Sequence, residues 1–97
     1  MFEWLLEPLL GKKVTVTEED IKLGLRGSPI GCPVARACKR AWPDYRISVG
    51  ATRIIRGWGC QTAIFFLPPS VTVRITWFDR GRSIAPFNFR VKHWKSD

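Results

Sequence analysis

Apolar positions change period along this chain, and the change predicts helices first and a sheet afterwards. Phe2, Leu5, Leu6 and Leu9 recur at helical spacing with Glu3 and Glu7 four apart, so the pattern predicts about two helical turns over residues 2–7 before Pro8 and Gly11 interrupt it. Lys13–Val16 reads as a short strand with Val14 and Val16 on one face. Thr17 is an N-cap candidate, and Glu18, Glu19 and Asp20 occupy the first turn, where the helix dipole favours acids; the spacing predicts a helix over roughly 18–25. Gly24, Gly27, Ser28, Pro29 and Gly31 interrupt it. Pro33 then opens a second helix through Trp42, with Val34, Ala37, Cys38 and Ala41 on one face and Arg36, Lys39 and Arg40 largely on the other.

From Tyr45 the period falls to two. Tyr45, Ile47 and Val49 alternate with Arg46 and Ser48, and Thr52–Arg56 and Gln61–Leu67 continue as strands around a loop at Gly57-Trp58-Gly59, a meander. Residues 70–78 carry conflicting signals. Their β-branched run favours a strand, while Ser70 after Pro68-Pro69 can cap a helix that places Val71, Ile75 and Phe78 on one face. Ala85–Trp94 alternates as one strand with Phe87, Phe89, Val91 and His93 on a single side. The expected fold is α+β: short helices packed on a small antiparallel sheet, with a third helix near residue 70 as the open alternative.

At 97 residues the chain is one domain, with residues 1–11 as a candidate hydrophobic hook; smaller pieces would bury too little apolar surface to fold alone. An apolar content of 45% fits a folded protein rather than a disordered basic tail. No apolar run approaches the ~20 residues of a bilayer span, and Glu3 stands where a signal peptide carries lysine or arginine. The expectation is a soluble cytoplasmic protein with no membrane partner. An odd number of cysteines, Cys32, Cys38 and Cys60, argues for reduced thiols rather than a disulfide framework.

Charge changes the picture most. Residues 1–21 hold two lysines against five acids, a net of −3, whereas residues 22–97 hold 14 Lys and Arg against three Asp, a net of +11. Such a field attracts nucleic acid, an acidic protein surface or phospholipid headgroups.

Catalytic chemistry is poorly supplied. A hydrolase needs a nucleophile with a base or two carboxylates of separated pKa, and this chain has one histidine and eight acids. His93, on an alternating strand between lysines, reads as structural or surface. Cys32 before Pro33 stands at a helix N-terminus, where a dipole lowers a thiol pKa, yet no second group is placed to complete the reaction; a small buried residue is the simpler account. Cys32, Cys38, Cys60 and His93 are zinc ligand types, but the five-residue gap between Cys32 and Cys38 is not a metal-pair spacing. The glycines lack a phosphate-loop lysine and serine. No enzyme, metal or cofactor is expected.

What remains is arginine interleaved with aromatic rings. Arg40 is near Trp42, Arg53 and Arg56 precede Trp58, Arg74 precedes Trp77, and Arg90 and Lys92 approach Trp94. Single-strand binders combine cations for phosphates with rings for bases, although a small domain with five Trp buries several of them. Trp42 and Trp77 are expected in the core and Trp58 in solvent. Arg46, Arg53, Arg56, Trp58, Arg74, Arg90 and Lys92 form the expected nucleic-acid or partner face, provided their strands are neighbours. Phe2, Trp4, Leu5, Leu6 and Leu9 form the expected partner or homo-oligomer contact, or else cover the domain's own core.

Thr17-Glu-Glu-Asp20-Ile21, Gly24 and Gly27, Cys32-Pro33-Val34-Ala35-Arg36-Ala37, Phe78-Asp79-Arg80-Gly81 and Pro86-Phe87-Asn88-Phe89 together resemble a loose group of small uncharacterised bacteriophage and prophage proteins. The likeness covers residues 15–42 and 71–91. In that group the stretch before Phe-Asp-x-Gly is helical, which favours a helix at 70–78, and no catalytic residues carry over. It implies a viral setting in the host cytoplasm. The resulting expectation is a non-enzymatic accessory protein that binds nucleic acid or a host nucleic-acid-processing complex through its Arg/Trp surface. The alternative is an inhibitor of a host defence protein or an assembly factor acting through the apolar N-terminal segment without touching nucleic acid.

Overall fold

The structure is a computed structural model that describes residues 11–91 and 93–96. Strand β1, Lys12–Val16, leads into α1, Glu18–Leu23. Thr17 caps that helix with a reciprocal box: its Oγ1 accepts from the Asp20 N–H at 3.2 Å and Asp20 Oδ2 accepts from the Thr17 N–H at 2.9 Å. Gly24 ends it where α1 meets the start of the next helix. A Cβ at that position would lie 2.7 Å from both the Asp20 carbonyl and the Pro33 ring, so the approach requires glycine.

Helix α2, Pro33–Ala41, starts on Cys32, whose Sγ accepts from the Ala35 N–H at 3.4 Å, with Pro33 at the first helical position. Its apolar face is buried, and it packs against α1, β1 and the first strand of the meander. The meander follows as β2 Arg46–Val49, β3 Arg53–Trp58 and β4 Gln61–Phe66, all antiparallel.

Helix α3, Pro69–Asp79, resolves the conflict at residues 70–78 in favour of helix. Pro69 presets the backbone of the first turn, and Ser70 lies inside that turn rather than capping it. Val71 is buried, Ile75 packs on the core, and the Thr76 hydroxyl donates to the Thr72 carbonyl at 3.0 Å. Burial of that face outweighs the weak helix preference of the β-branched residues.

The C-terminal alternation does not continue as one strand. Strand β5, Phe87–Val91, pairs with β1, and β6, His93–Ser96, joins the other sheet beside β4. The result is a two-stranded ribbon and a four-stranded sheet of order β2-β3-β4-β6. The expectation of a small α+β domain holds, with two sheets in place of one. Val14, Val16, Phe89 and Val91 line the inner face of the ribbon, and Ile47, Val49, Ile54, Ala63 and Phe65 that of the sheet; α2 adds Val34, Ala35, Ala37 and Cys38, and α3 adds Val71. The loop expected at Gly57-Trp58-Gly59 is shorter, because Gly57 and Trp58 still pair with Thr62 and Gln61, which leaves the turn at Gly59-Cys60. Among the described residues no helix is long and apolar enough to cross a membrane.

Candidate functional site

Strand parity distributes the expected cationic face over several surfaces. Arg53 and Arg56, three residues apart on β3, face opposite sides of the sheet. Arg46 and Arg53 lie on the outer side; Arg46 folds across Gly57 and donates from Nη2 to the Gly59 carbonyl at 2.8 Å. Arg56 turns to the core side, where its guanidinium stands 4.3 Å from the Tyr45 ring centroid, 5.2 Å from Phe65 and 5.5 Å from Trp42. Trp42 and Phe65 are themselves stacked at 5.1 Å, so this arginine is held in an aromatic cage by cation–π contact.

Arg74 lies over the Phe87 ring at 4.9 Å and donates to the Ser70 carbonyl at 3.3 Å. Arg90 is on the outer face of the ribbon with Lys13, and its Nη1 donates to the Gly11 carbonyl at 3.0 Å. Lys92 and the hook residues Phe2, Trp4, Leu5, Leu6 and Leu9 lie outside the described residues. Trp58 is 61% exposed at the β3–β4 turn, as expected, with Arg46 folded beneath that turn.

Trp42 is buried as expected, but Trp77 is not: it is 40% exposed, because Val71 and Ile75 turn α3 toward the core and leave Val73 and Trp77 on the opposite side. The Arg82 guanidinium stands 5.5 Å from the Trp77 ring. The chain turns at Gly81, whose φ of 83° favours glycine, and the Arg26 guanidinium comes from a distant loop to lie against that turn. Arg80 is exposed in the same turn, and the Asp79 carboxylate is occupied in accepting the Gly27 N–H at 2.9 Å. Arg82 therefore stands beside an exposed indole, with Arg26 and Arg80 at the adjoining turn. The sequence signal was the run Trp77-Phe78-Asp79-Arg80-Gly81-Arg82; the contribution of Arg26 depends on tertiary contact alone.

The loop from Gly24 to Cys32 is closed by one internal hydrogen bond and fastened to the rest of the fold at two points. Leu25 N–H donates to the Gly31 carbonyl at 2.8 Å, Val49 N–H to the Pro29 carbonyl at 2.8 Å, and Gly27 N–H to Asp79. This order fixes Leu25 and Ile30 in solvent at 61% and 59% exposure, next to Leu23 at 51%. Facing them are Arg36, Lys39 and Arg40 of α2, organised by Asp20. That carboxylate is fully buried and accepts from Arg40 at 3.0 Å and 2.6 Å, while Arg36 Nε stands 3.6 Å away. Burial pushes the Asp20 pKa up, but the Arg40 and Thr17 hydrogen bonds outweigh it and hold the carboxyl below its ordinary value. Arg40 also donates to the Thr15 carbonyl at 2.8 Å, tying α2 to β1.

Cys32 and Cys38 are buried and Cys60 is exposed, all as free thiols. Burial raises the Cys32 pKa, so the thiol is protonated at neutral pH. Among the described residues no group of three or more His, Cys, Asp or Glu stands together to hold a metal. Comparison of the chain with protein-family models, curated proteins and solved structures finds no match.

Proposed function

We propose that this chain is a non-enzymatic binding protein that takes single-stranded nucleic acid on its arginine- and tryptophan-lined surface, in the accessory role that its likeness to small phage proteins implies. The observation that carries the reading is the exposed Trp77 ring with Arg82 beside it and Arg26 and Arg80 at the adjoining turn. An exposed indole offers a stacking platform for any base, and flanking guanidiniums meet phosphates. Trp58, exposed at the β3–β4 turn, is a second indole free to stack. Cys32, the nucleophile an enzyme would require, is buried and protonated, which supports binding rather than catalysis.

The test is fluorescence anisotropy of labelled single-stranded oligonucleotides titrated with the protein and with Trp77→Ala, Arg82→Ala and Trp58→Ala variants. Trp77→Ala is expected to weaken binding roughly 5-fold to 150-fold, the equivalent of ~1–3 kcal/mol for one stacked base. Arg82→Ala is expected to weaken it less and Trp58→Ala least. Unchanged affinity in both tryptophan variants would remove the stacking role.

A further inference from the structure

A cleft of about 340 Å³ opens beside α1 and α2, with Leu23, Leu25 and Ile30 along one wall and Arg36, Lys39 and Arg40 along the other. We infer that this cleft is a second binding site, built from residues other than those around Trp77, and that it takes an acidic amphipathic segment of a partner protein.

Three observations point to that chemistry. Single exposed aliphatic residues are ordinary on a protein surface, but three that converge on one concavity mark a place where apolar surface is covered by a partner. Leu25 and Ile30 are held there by a loop fastened to β2 and to the end of α3, so their exposure is built into the fold rather than a fraying terminus. The opposite wall is cationic: three positive side chains stand against the single carboxylate of Asp20, leaving a net of +2 among the lining residues. Their positions are already set, Arg40 by two bonds to Asp20, Arg36 beside the same carboxylate, and Lys39 by donating Nζ to the Ile30 carbonyl. For Arg40 and Lys39, the ordering that a partner would otherwise impose is therefore in place before binding.

Leucine-sized side chains on the partner fill the apolar wall, and carboxylates beside them receive the remaining guanidinium and ammonium donors. Nucleic acid fits poorly here. Among the described lining residues none is aromatic, so a base finds nothing to stack on, and the aliphatic wall offers no partner to a phosphate.

The probe is a labelled helical peptide with leucines on one face and glutamates flanking them, followed by anisotropy against the full chain. Two control peptides replace glutamate by lysine or leucine by serine. The glutamate-leucine peptide is expected to bind saturably and the controls at least about tenfold more weakly; a Leu25→Ser/Ile30→Ser variant, with unchanged circular dichroism, is expected to lose at least about tenfold for the original peptide. Both residues are exposed, so the fold survives the change. An oligonucleotide bound at Trp77 is expected to leave the peptide in place. Failure of the peptide to bind, equal binding of either control, indifference to the Leu25/Ile30 change, or displacement by the oligonucleotide would overturn the inference. So would a dimer in sedimentation that the same substitutions dissociate, since the cleft would then belong to a second copy of this chain.

Discussion

Asp20→Ala is expected to destabilise the protein by about 2 kcal/mol, in the range for leaving hydrogen-bond partners without their acceptor, since Asp20 is buried while Arg40 is half exposed. For a domain of this size that corresponds to a fall in Tm on the order of 10 °C, measured by thermal denaturation. The loss is large because one fully buried carboxylate serves three structures at once. It completes the capping box of α1, it receives Arg40 in a two-point contact, and through Arg40 it holds α2 to the Thr15 carbonyl of β1. Removing it leaves the Thr17 N–H without its acceptor and Arg40 with the Thr15 carbonyl but no counter-charge. A double variant, Asp20→Ala/Arg40→Met, is expected to lose less than the sum of the two single changes, because the cation no longer lacks its counter-charge.

The same group sets a pH dependence. Its folded pKa lies below the ordinary value of 3.8, so its contribution to stability is complete above that pH and is lost as pH falls through the folded pKa. The wild-type Tm is therefore expected to decline more steeply on acidification below about pH 4 than that of Asp20→Ala. Parallel acid profiles for the two proteins would show that Asp20 gains nothing from its partners on folding.

Ile54→Ala carries the other large effect, about 2–5 kcal/mol, through lost burial and the cavity left behind. Ile54 has no exposed surface, and on β3 it stands between Val49 of β2 and Phe65 of β4 on the core face of the sheet. Against a total stability of about 5–15 kcal/mol, such a loss brings the domain near unfolding at ordinary temperatures. Its neighbour Ile55 faces the other side and is only half-buried, so Ile55→Ala is expected to cost less than half as much. Equal losses from the two substitutions in chemical denaturation would mean that the outer face is packed as tightly as the core.

Local signals in the sequence were sufficient for much of this fold. Thr17 before Glu18, Glu19 and Asp20 announces the start of α1, Cys32-Pro33 announces α2, and the alternation of Ile47, Val49, Ile54 and Phe65 announces the inner face of the meander, because each depends on neighbours within a few residues. The opposition of Arg53 and Arg56 is also legible, since an odd spacing on a strand puts two side chains on opposite faces and so divides the expected cationic face.

Other features were not legible, for reasons of distance. Alternation from Phe87 to His93 does not reveal that the chain leaves one sheet and joins another, because both strands obey the same period. Trp77 looked like core because α3 is apolar on two sides, and only the packing of Val71 and Ile75 decides which side is covered. The cleft was hidden in a stretch of glycines, serine and proline that reads as a helix breaker. Its order comes from hydrogen bonds to Val49 and Asp79, which no local pattern discloses.

The central claim, a binding surface for single-stranded nucleic acid around Trp77, is tested most directly by the salt dependence of oligonucleotide affinity in wild-type protein. Three arginines meeting phosphates at that corner predict a slope of about −2 in log affinity against log salt, from ~0.7 counterions released per phosphate of a single strand. Saturable binding with that slope would agree with the account. Absence of binding at low salt, or an affinity indifferent to salt, would contradict it.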